Sequence, residues 1–355
     1  MSKKYLFSRW LHLFLQVTVF GCSAFLVLVA PTINSPSSKL LAQKAISQDL
    51  EAASFFQQGV MRYNRNDLQG AEYAFRQALQ KDFNLSAARN YLGNIFLQQN
   101  RFDEAVQEYA EAIKINPNFS EAYYNLGLVL HRQGEKQAAI TAYRQSLVIN
   151  PTNPTTLYNL GLVLYEQGQL QEAIATYQQA INLDNSNANA YFNLAIALQQ
   201  QGNIEMAIAT YRQALELDPK NATAYNNMAS LLAIHGQPAE AISVYRQAIR
   251  QNPKNASAYY NLGVTLYNQG DIKKANGALK RAHNEYRQQG NIEQAEKIEQ
   301  LMQQIAQKRE QQQPQTNQTA TPSPTPASET QNQPETPASP SDIPVSAEPQ
   351  SGSSS

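Results

Sequence analysis

The sequence predicts an all-α protein in which seven helical hairpins stack side by side, and three periodic features carry this prediction. A residue with almost no side chain recurs every 34 residues. Alanine follows it after twelve residues in every copy, and a large ring follows it after sixteen residues in all copies but the last. The small sites are Gly59, Gly93, Gly127, Gly161, Ala195, Ala229 and Gly263. Self-similarity at such a period is typical of repeat architectures, in which each unit buries its apolar face only against its neighbours.

Ahead of the repeats, the chain begins with a leader, residues 1–30. Lys3, Lys4 and Arg9 precede an apolar run of twenty residues, Leu11–Ala30. As a helix this run is about 30 Å long, the thickness of a bilayer core. The basic residues favour a cytoplasmic N-terminus, so we expect the rest of the chain to be exported across the cytoplasmic membrane. A transmembrane anchor and a cleaved signal peptide both fit, which leaves the protein membrane-anchored or periplasmic. Residues 31–51 are expected to form a linker and lead-in helix.

Each copy of the repeat has the pattern of two helices joined by a tight turn. In the third copy, Tyr123, Leu126 and Leu130 are spaced i, i+3 and i+7, which marks one apolar face of a helix. A glycine seven residues after the small site ends the first helix, and a proline twenty-four residues after it ends the second. These residues are Gly134, Gly168, Gly202, Gly236 and Gly270, and Pro117, Pro151, Pro219 and Pro253.

This pattern resembles the tetratricopeptide repeat (TPR) family over residues 52–289. The family's consensus sites fall on Tyr191, Leu194, Ala195, Leu198, Ala207, Tyr211, Ala214 and Pro219. The resemblance implies a right-handed α-solenoid of seven helix-turn-helix repeats with an inward-facing groove. The implied repeats span residues 52–85, 86–119, 120–153, 154–187, 188–221, 222–255 and 256–289.

Two further segments follow the repeats. Gly290 and Asn291 indicate a helix end and a new N-cap, so residues 290–310 are predicted to form a capping helix. Its apolar stripe consists of Ile292, Ala295, Ile298, Leu301 and Ile305. Residues 311–355 contain nine prolines and few apolar side chains, so burial cannot offset the entropy of ordering them. We expect this tail to be disordered.

Composition excludes several classes of function. The 28 basic and 28 acidic residues balance, so no basic field is available for nucleic acid. A single Cys excludes a disulfide framework and a thiolate zinc site, and the four His have no metal-binding spacing. Nucleotide-binding and hydrolase motifs are also lacking. The sequence therefore predicts a protein that is not an enzyme, with no cofactor and no metal.

The candidate binding residues form a row on the first helices. Asparagine stands two residues before the small site in five successive copies: Asn125, Asn159, Asn193, Asn227 and Asn261. An Asn carboxamide can pair with a peptide backbone of any sequence. Similar asparagine ladders line the TPR superhelix of the O-linked N-acetylglucosamine transferase, where they hold extended polypeptide. The alternative is that each Asn bonds a neighbouring helix.

Rings accompany this row and suggest apolar anchors. They are Tyr124, Tyr158, Phe192 and Tyr260, followed on the same helices by His131, Tyr165 and Tyr267. The basic residues with which some members of the family clamp carboxylate tails are absent from the corresponding positions. A neutral, aromatic groove favours an extended or helical peptide.

We therefore predict a scaffold that binds a segment of a partner protein and helps assemble an envelope complex. Two alternatives remain open. The protein could be the targeting subunit of a separate enzyme such as a glycosyltransferase, or it could associate with copies of itself. The partner is a protein or peptide, with the membrane as a further contact if the leader is retained.

Overall fold

The computed structural model of the chain describes residues 36–312, which form fifteen α-helices and no strand. The helices are α1 Pro36–Asn64, α2 Leu68–Lys81, α3 Ser86–Gln98, α4 Phe102–Ile115, α5 Ser120–Arg132, α6 Lys136–Ile149, α7 Pro154–Glu166, α8 Leu170–Leu183, α9 Ala188–Gln201, α10 Ile204–Leu217, α11 Ala222–Ile234, α12 Pro238–Gln251, α13 Ala256–Asn268, α14 Ile272–Gln288 and α15 Ile292–Gln312. The predicted leader, residues 1–30, and all but the first two residues of the predicted tail lie outside the described residues.

Consecutive helices pack in pairs, from α1 with α2 to α13 with α14, and each pair stacks on the next. In most steps the first helix of a pair also contacts the first helix of the following pair. No approach of comparable extent joins successive second helices within residues 36–312. The first helices therefore lie on the inner, more closely spaced side of the stack. This all-helical stack of paired helices confirms the predicted fold class.

The two helices of a pair are held close by a ring that lies against a glycine. A Cβ atom added to Gly127 would lie 2.6 Å from Cε1 of Tyr143, closer than non-bonded carbons approach. Gly161 has the same relation to Tyr177, at 2.7 Å. The rings at this repeated position are fully buried: Phe75, Tyr109, Tyr143, Tyr177, Tyr211 and Tyr245. The 34-residue spacing of glycine and ring is thus the sequence expression of one repeated contact.

The turns of the stack also follow from local chemistry. Gly134 has a φ of +78°, a left-handed conformation that side chains disfavour, so glycine ends the first helix there. Between pairs, the side chain of Asn153 accepts a hydrogen bond from the backbone N–H of Thr156 and caps α7. Asn187, Asn221 and Asn255 cap α9, α11 and α13 in the same way.

The two ends of the stack differ. Helix α1 runs without a break from Pro36 through the first predicted repeat boundary at residue 52. At the other end, α15 packs against α14 and buries Ala295, Ile298 and Ile305. Its opposite face is exposed, so α15 covers the last hairpin. No helix between residues 36 and 312 is both long and apolar enough to cross a membrane.

The glycine–ring contact predicts a stability effect. Gly127→Ala forces the buried ring of Tyr143 to move, and we expect it to lower the free energy of unfolding by about 1–3 kcal/mol. Gly277 lies exposed in the middle of α14, with no atom within 4 Å of an added Cβ. Gly277→Ala should therefore raise stability by about 0.5–1 kcal/mol. Urea unfolding of both variants measures the difference, and equal effects would contradict the packing described.

The buried tyrosines predict a loss of stability at alkaline pH. Burial raises the pKa of Tyr109, Tyr143 and Tyr177 above the usual value near 10. Their contribution is complete below pH 10 and is lost above it, because the unfolded chain releases these protons first. Each such tyrosine contributes a slope of about 1.4 kcal/mol per pH unit in that range.

Urea midpoints measured between pH 8 and pH 11.5 test this prediction. Tyr177→Phe should reduce the slope, whereas Tyr73→Phe, at a ring that is 64% exposed, should leave it unchanged. The same slope in both variants would show that the alkaline transition has another origin.

Candidate peptide-binding surface

A line of half-buried side chains follows the inner side of the stack at α5 and α7. Tyr124, Leu128 and His131 are spaced i, i+4 and i+7, so they share one face of α5, and the same positions of α7 carry similar residues. We call this surface the inner strip: Tyr124, Leu128, His131, Tyr158, Leu162 and Tyr165. The sequence analysis did not select Leu128 and Leu162, although the helical spacing from each tyrosine identifies them.

The equivalent positions farther along the stack are more covered. Phe192 of α9 is only 4% exposed, and Tyr267 of α13 is also buried. Tyr260 keeps partial exposure, but its neighbour one turn on, Val264, is buried. The predicted rings therefore do not form one accessible surface. Those of α5 and α7 come together on the inner strip, whereas Phe192 and Tyr267 belong to the packed interior.

Three of the asparagines bridge successive hairpins by one rule. Each donates from Nδ2 to the side chain 35 residues earlier in the sequence. Asn125 donates to Oδ1 of Asn90 at 3.1 Å, and it also donates to Oδ1 of Asn94 at 3.0 Å. Asn159 donates to the hydroxyl of Tyr124 at 3.4 Å. Asn193 donates to the hydroxyl of Tyr158 at 3.0 Å. The row therefore ties each first helix to the one before it.

The rule changes where the acceptor is missing. Asn227 would meet Phe192, which has no hydroxyl, and it donates instead to Tyr211 at 3.4 Å. Asn261 donates to the hydroxyl of Ser230 at 3.2 Å. Both asparagines are 2% exposed, which removes them from any surface that a partner could reach.

Asn159 and Asn193 differ from the other three asparagines because they are only half-buried. Their Nδ2 groups are used within the stack, but no donor among residues 36–312 bonds to either Oδ1 atom. Each therefore presents a carbonyl oxygen beside the inner strip. Such an acceptor suits a backbone N–H of a bound chain.

One ion-pair group lies at the edge of the inner strip. The Glu166 carboxylate lies 3.0 Å from Nε2 of His131 and 3.0 Å from Nζ of Lys136. Burial of the Glu166 carboxyl opposes its ionisation, but hydrogen bonds from Lys136 and His131 outweigh burial and lower its pKa. Burial raises the pKa of Tyr124, Tyr158 and Tyr165, so these hydroxyls stay protonated at neutral pH. The strip is therefore neutral and aromatic apart from this edge.

Two buried hydroxyls beneath the inner strip have no hydrogen-bond partner among the described residues. They belong to Tyr143 and Tyr177, whose rings lie 6.0 Å from Tyr124 and 6.2 Å from Tyr158. In contrast, the Tyr109 hydroxyl donates to Oδ1 of Asn94 at 2.6 Å. The position of Asn94 is Leu128 in the next repeat and Leu162 in the one after, and neither can accept. The apolar strip thus leaves these hydroxyls unpaired.

No cluster of His, Cys, Asp or Glu within residues 36–312 has an arrangement that could hold a metal ion. The only cavities of note in this range lie elsewhere, at α14 and α15. The inner strip has the character of a contact surface for a chain rather than of an enclosed pocket.

Models of one repeat family match most of the stack. A model described as TPR repeat matches residues 93–134, 133–168, 161–202 and 230–270. Models described as tetratricopeptide repeat match residues 188–221, 210–243 and 257–288. Together these matches cover residues 93–288 without a gap, more than half of the chain. The first predicted repeat, residues 52–85, is outside them, so the count of seven repeats stays a prediction. Comparison with curated proteins finds no match.

Solved structures share the fold at low sequence identity. The C-terminal part of a TPR repeat-containing protein from Cytophaga hutchinsonii is 18% identical with a TM-score of 0.56, over 64% of this chain and 93% of that one. PilF from Pseudomonas aeruginosa is 20% identical with a TM-score of 0.51, over 58% and 94%. A tetratricopeptide repeat protein from Parabacteroides merdae is 19% identical with a TM-score of 0.50, over 70% and 98%. At these identities the likeness shows the fold alone.

The unpaired hydroxyls predict opposite effects of one substitution. Tyr143→Phe and Tyr177→Phe each remove a buried hydroxyl that makes no bond, so stability should be unchanged or rise by up to about 1 kcal/mol. Tyr109→Phe removes a hydroxyl that is bonded and should cost about 1–2 kcal/mol. Thermal unfolding of the three variants compares them directly, and a loss at Tyr143 equal to that at Tyr109 would contradict this description.

Proposed function

This chain belongs to the tetratricopeptide repeat family, and we propose that it is a non-enzymatic scaffold that binds an extended segment of a partner protein along the inner strip. The observation that carries the proposal is the pairing of Asn159 with Tyr124 and of Asn193 with Tyr158 in successive hairpins. Each pair presents one unbonded carboxamide oxygen beside an aromatic ring. The same group thus recurs once per hairpin along the surface, an arrangement that suits the regularly spaced N–H groups of an extended chain.

The composition of the inner strip supports one kind of segment. Its side chains are aromatic and aliphatic, and the strip itself contains no Lys or Arg. Lys136 lies at the edge and already pairs with Glu166. A segment with apolar side chains gains burial against Leu128 and Leu162, whereas an acidic tail would find no free cation there. We therefore favour an extended segment with apolar anchors.

The proposed setting is the cell envelope. This part of the proposal depends on the leader of residues 1–30, whose basic start and apolar run predict export. A stack of interaction repeats held at a membrane or in the periplasm would bring a partner protein to an envelope assembly. The inner strip and the leader are separate features, so each can be tested alone.

Site-specific photo-crosslinking tests the binding surface. We expect benzoylphenylalanine at Leu162, on the inner strip, to capture a partner protein in cells. Gln179 is exposed on the second helix of the same hairpin and provides the matched control position. Equal capture at the two positions would remove the inner strip as the binding surface.

The affinity of the captured segment then tests the asparagines. Asn159→Ala and Asn193→Ala should each weaken binding about 3–10-fold, the value of one hydrogen bond of about 0.5–1.5 kcal/mol. Gln179→Ala should leave the dissociation constant unchanged. Because Asn159 and Asn193 also bridge hairpins, helical circular dichroism must be unaltered in both variants. Unchanged affinity in folded variants would exclude a binding role for the carboxamides.

A further inference from the structure

Helix α14 breaks a charge pattern that runs along the second helices. Arg144 and Glu172, which are 28 residues apart, form an ion pair between neighbouring second helices, and Arg212 pairs with Glu240 at the same spacing. At the next such step, Arg246 is followed after 28 residues by Lys274. Helix α14 contains five Lys or Arg residues and one Glu. The last hairpin therefore concentrates positive charge that earlier hairpins neutralise.

This charge lies beside two clefts between α14 and α15. One cleft, of about 380 Å³, is lined by Asn276, Lys280, His283, Asn284, Glu299 and Met302. The other, of about 750 Å³, is lined by Gln269, Gly270, Asp271, Ile272, Lys273, Asn276 and Arg309. The two clefts adjoin at Asn276, which lines both. We call the combined surface the basic cleft.

Three cations of the basic cleft are free to meet an outside anion. Lys273, Lys280 and Arg309 form no ion pair with any residue that the structure describes. The two carboxylates of the lining already face partners within the protein. Asp271 pairs with Lys274, and Glu299 lies 3.9 Å from Nε2 of His283. The lining thus keeps a net positive charge, in a chain whose total charge is zero.

The chain itself carries a matching acidic segment. Beyond residue 312 there is no Lys or Arg, and the four charged side chains are Glu329, Glu335, Asp342 and Glu348. The tail leaves α15 at Gln312, one turn after Arg309 of the cleft. The seventeen residues from Gln312 to Glu329 span roughly 20–25 Å as a coil, enough to return to Lys273 and Lys280.

We propose that the acidic segment Glu329–Glu348 binds the basic cleft of its own chain. The tether raises the local concentration of the segment to the millimolar range, so contacts that are weak individually are sufficient for occupancy. The contact consists of exposed charges, so it weakens as salt shortens the Debye length from about 10 Å at 0.1 M. An intramolecular contact at this end of the stack leaves the inner strip accessible. The proposal therefore does not depend on the proposed function.

Zero-length crosslinking of the full chain tests this contact. A carbodiimide joins carboxylates to lysine amines that touch them, and mass spectrometry of the monomeric product identifies the pairs. We expect crosslinks from Glu329, Glu335, Asp342 or Glu348 to Lys273 and Lys280. Raising the salt to 0.5 M should reduce them several-fold, because charges are then screened beyond about 4 Å. The ion pair of Lys136 with Glu166 serves as the internal standard.

Charge variants complete the design. Arg309→Gln should reduce the tail crosslinks to Lys273 several-fold while leaving both reacting groups in place. Lys220 and Lys254 are exposed lysines in turns between hairpins, without ion pairs among the described residues, and they report random encounters of the tail. Equal crosslinking of the tail to these lysines would overturn the proposal. Tail crosslinks found only in a dimeric product would also overturn it, because they would show exchange between copies.

Discussion

The close approach of two helices at a residue without a side chain is the constraint on which the structure depends. Where Tyr143 lies against Gly127, the second helix of a hairpin reaches the backbone of the first. Repeating this contact fixes the same geometry in each hairpin, and equal hairpins stack at equal intervals. Residues 35 positions apart then meet across every junction. The bridge from Asn193 to Tyr158 is one consequence of that regularity.

Much of the fold could be predicted from the sequence, because the features that define a hairpin lie within one repeat. The glycine at the small site, the ring sixteen residues later and the turn glycine each act locally. The accessibility of the inner surface could not be predicted in this way. Phe192 and Tyr158 occupy the same position of their repeats, yet only Tyr158 keeps partial exposure. Exposure depends on how closely neighbouring first helices approach, which no single repeat specifies.

The asparagine row illustrates the same limit at the level of chemistry. Its period correctly places five asparagines on the first helices, but the period does not say what each amide meets. That depends on the residue 35 positions earlier, which is Tyr124 for Asn159 and Phe192 for Asn227. A hydroxyl leaves the asparagine at a half-buried edge with its oxygen available, whereas a ring without one leaves a different, buried partner. One substitution thus decides where the row is accessible.

Different chemistry separates the inner strip from the basic cleft, although both lie on one stack. The strip is neutral and aromatic, whereas the cleft gathers cations that α14 no longer pairs with acidic neighbours. Both arise from departures from the repeat: a tyrosine before the asparagine in one case, and lysines in place of glutamate in the other. The regular contacts provide the scaffold, and the departures provide the surfaces.

Hydrogen exchange of the full chain, followed by mass spectrometry, tests the central claim of one continuous stack most directly. If every hairpin is held by its own ring contact and by its neighbours, slow exchange should extend without interruption from α3 to α14. Only the outer ends, the start of α1 and the end of α15, should exchange faster. A rapidly exchanging hairpin in the middle, such as α7 with α8, would contradict the account, because the inner surface would then be divided.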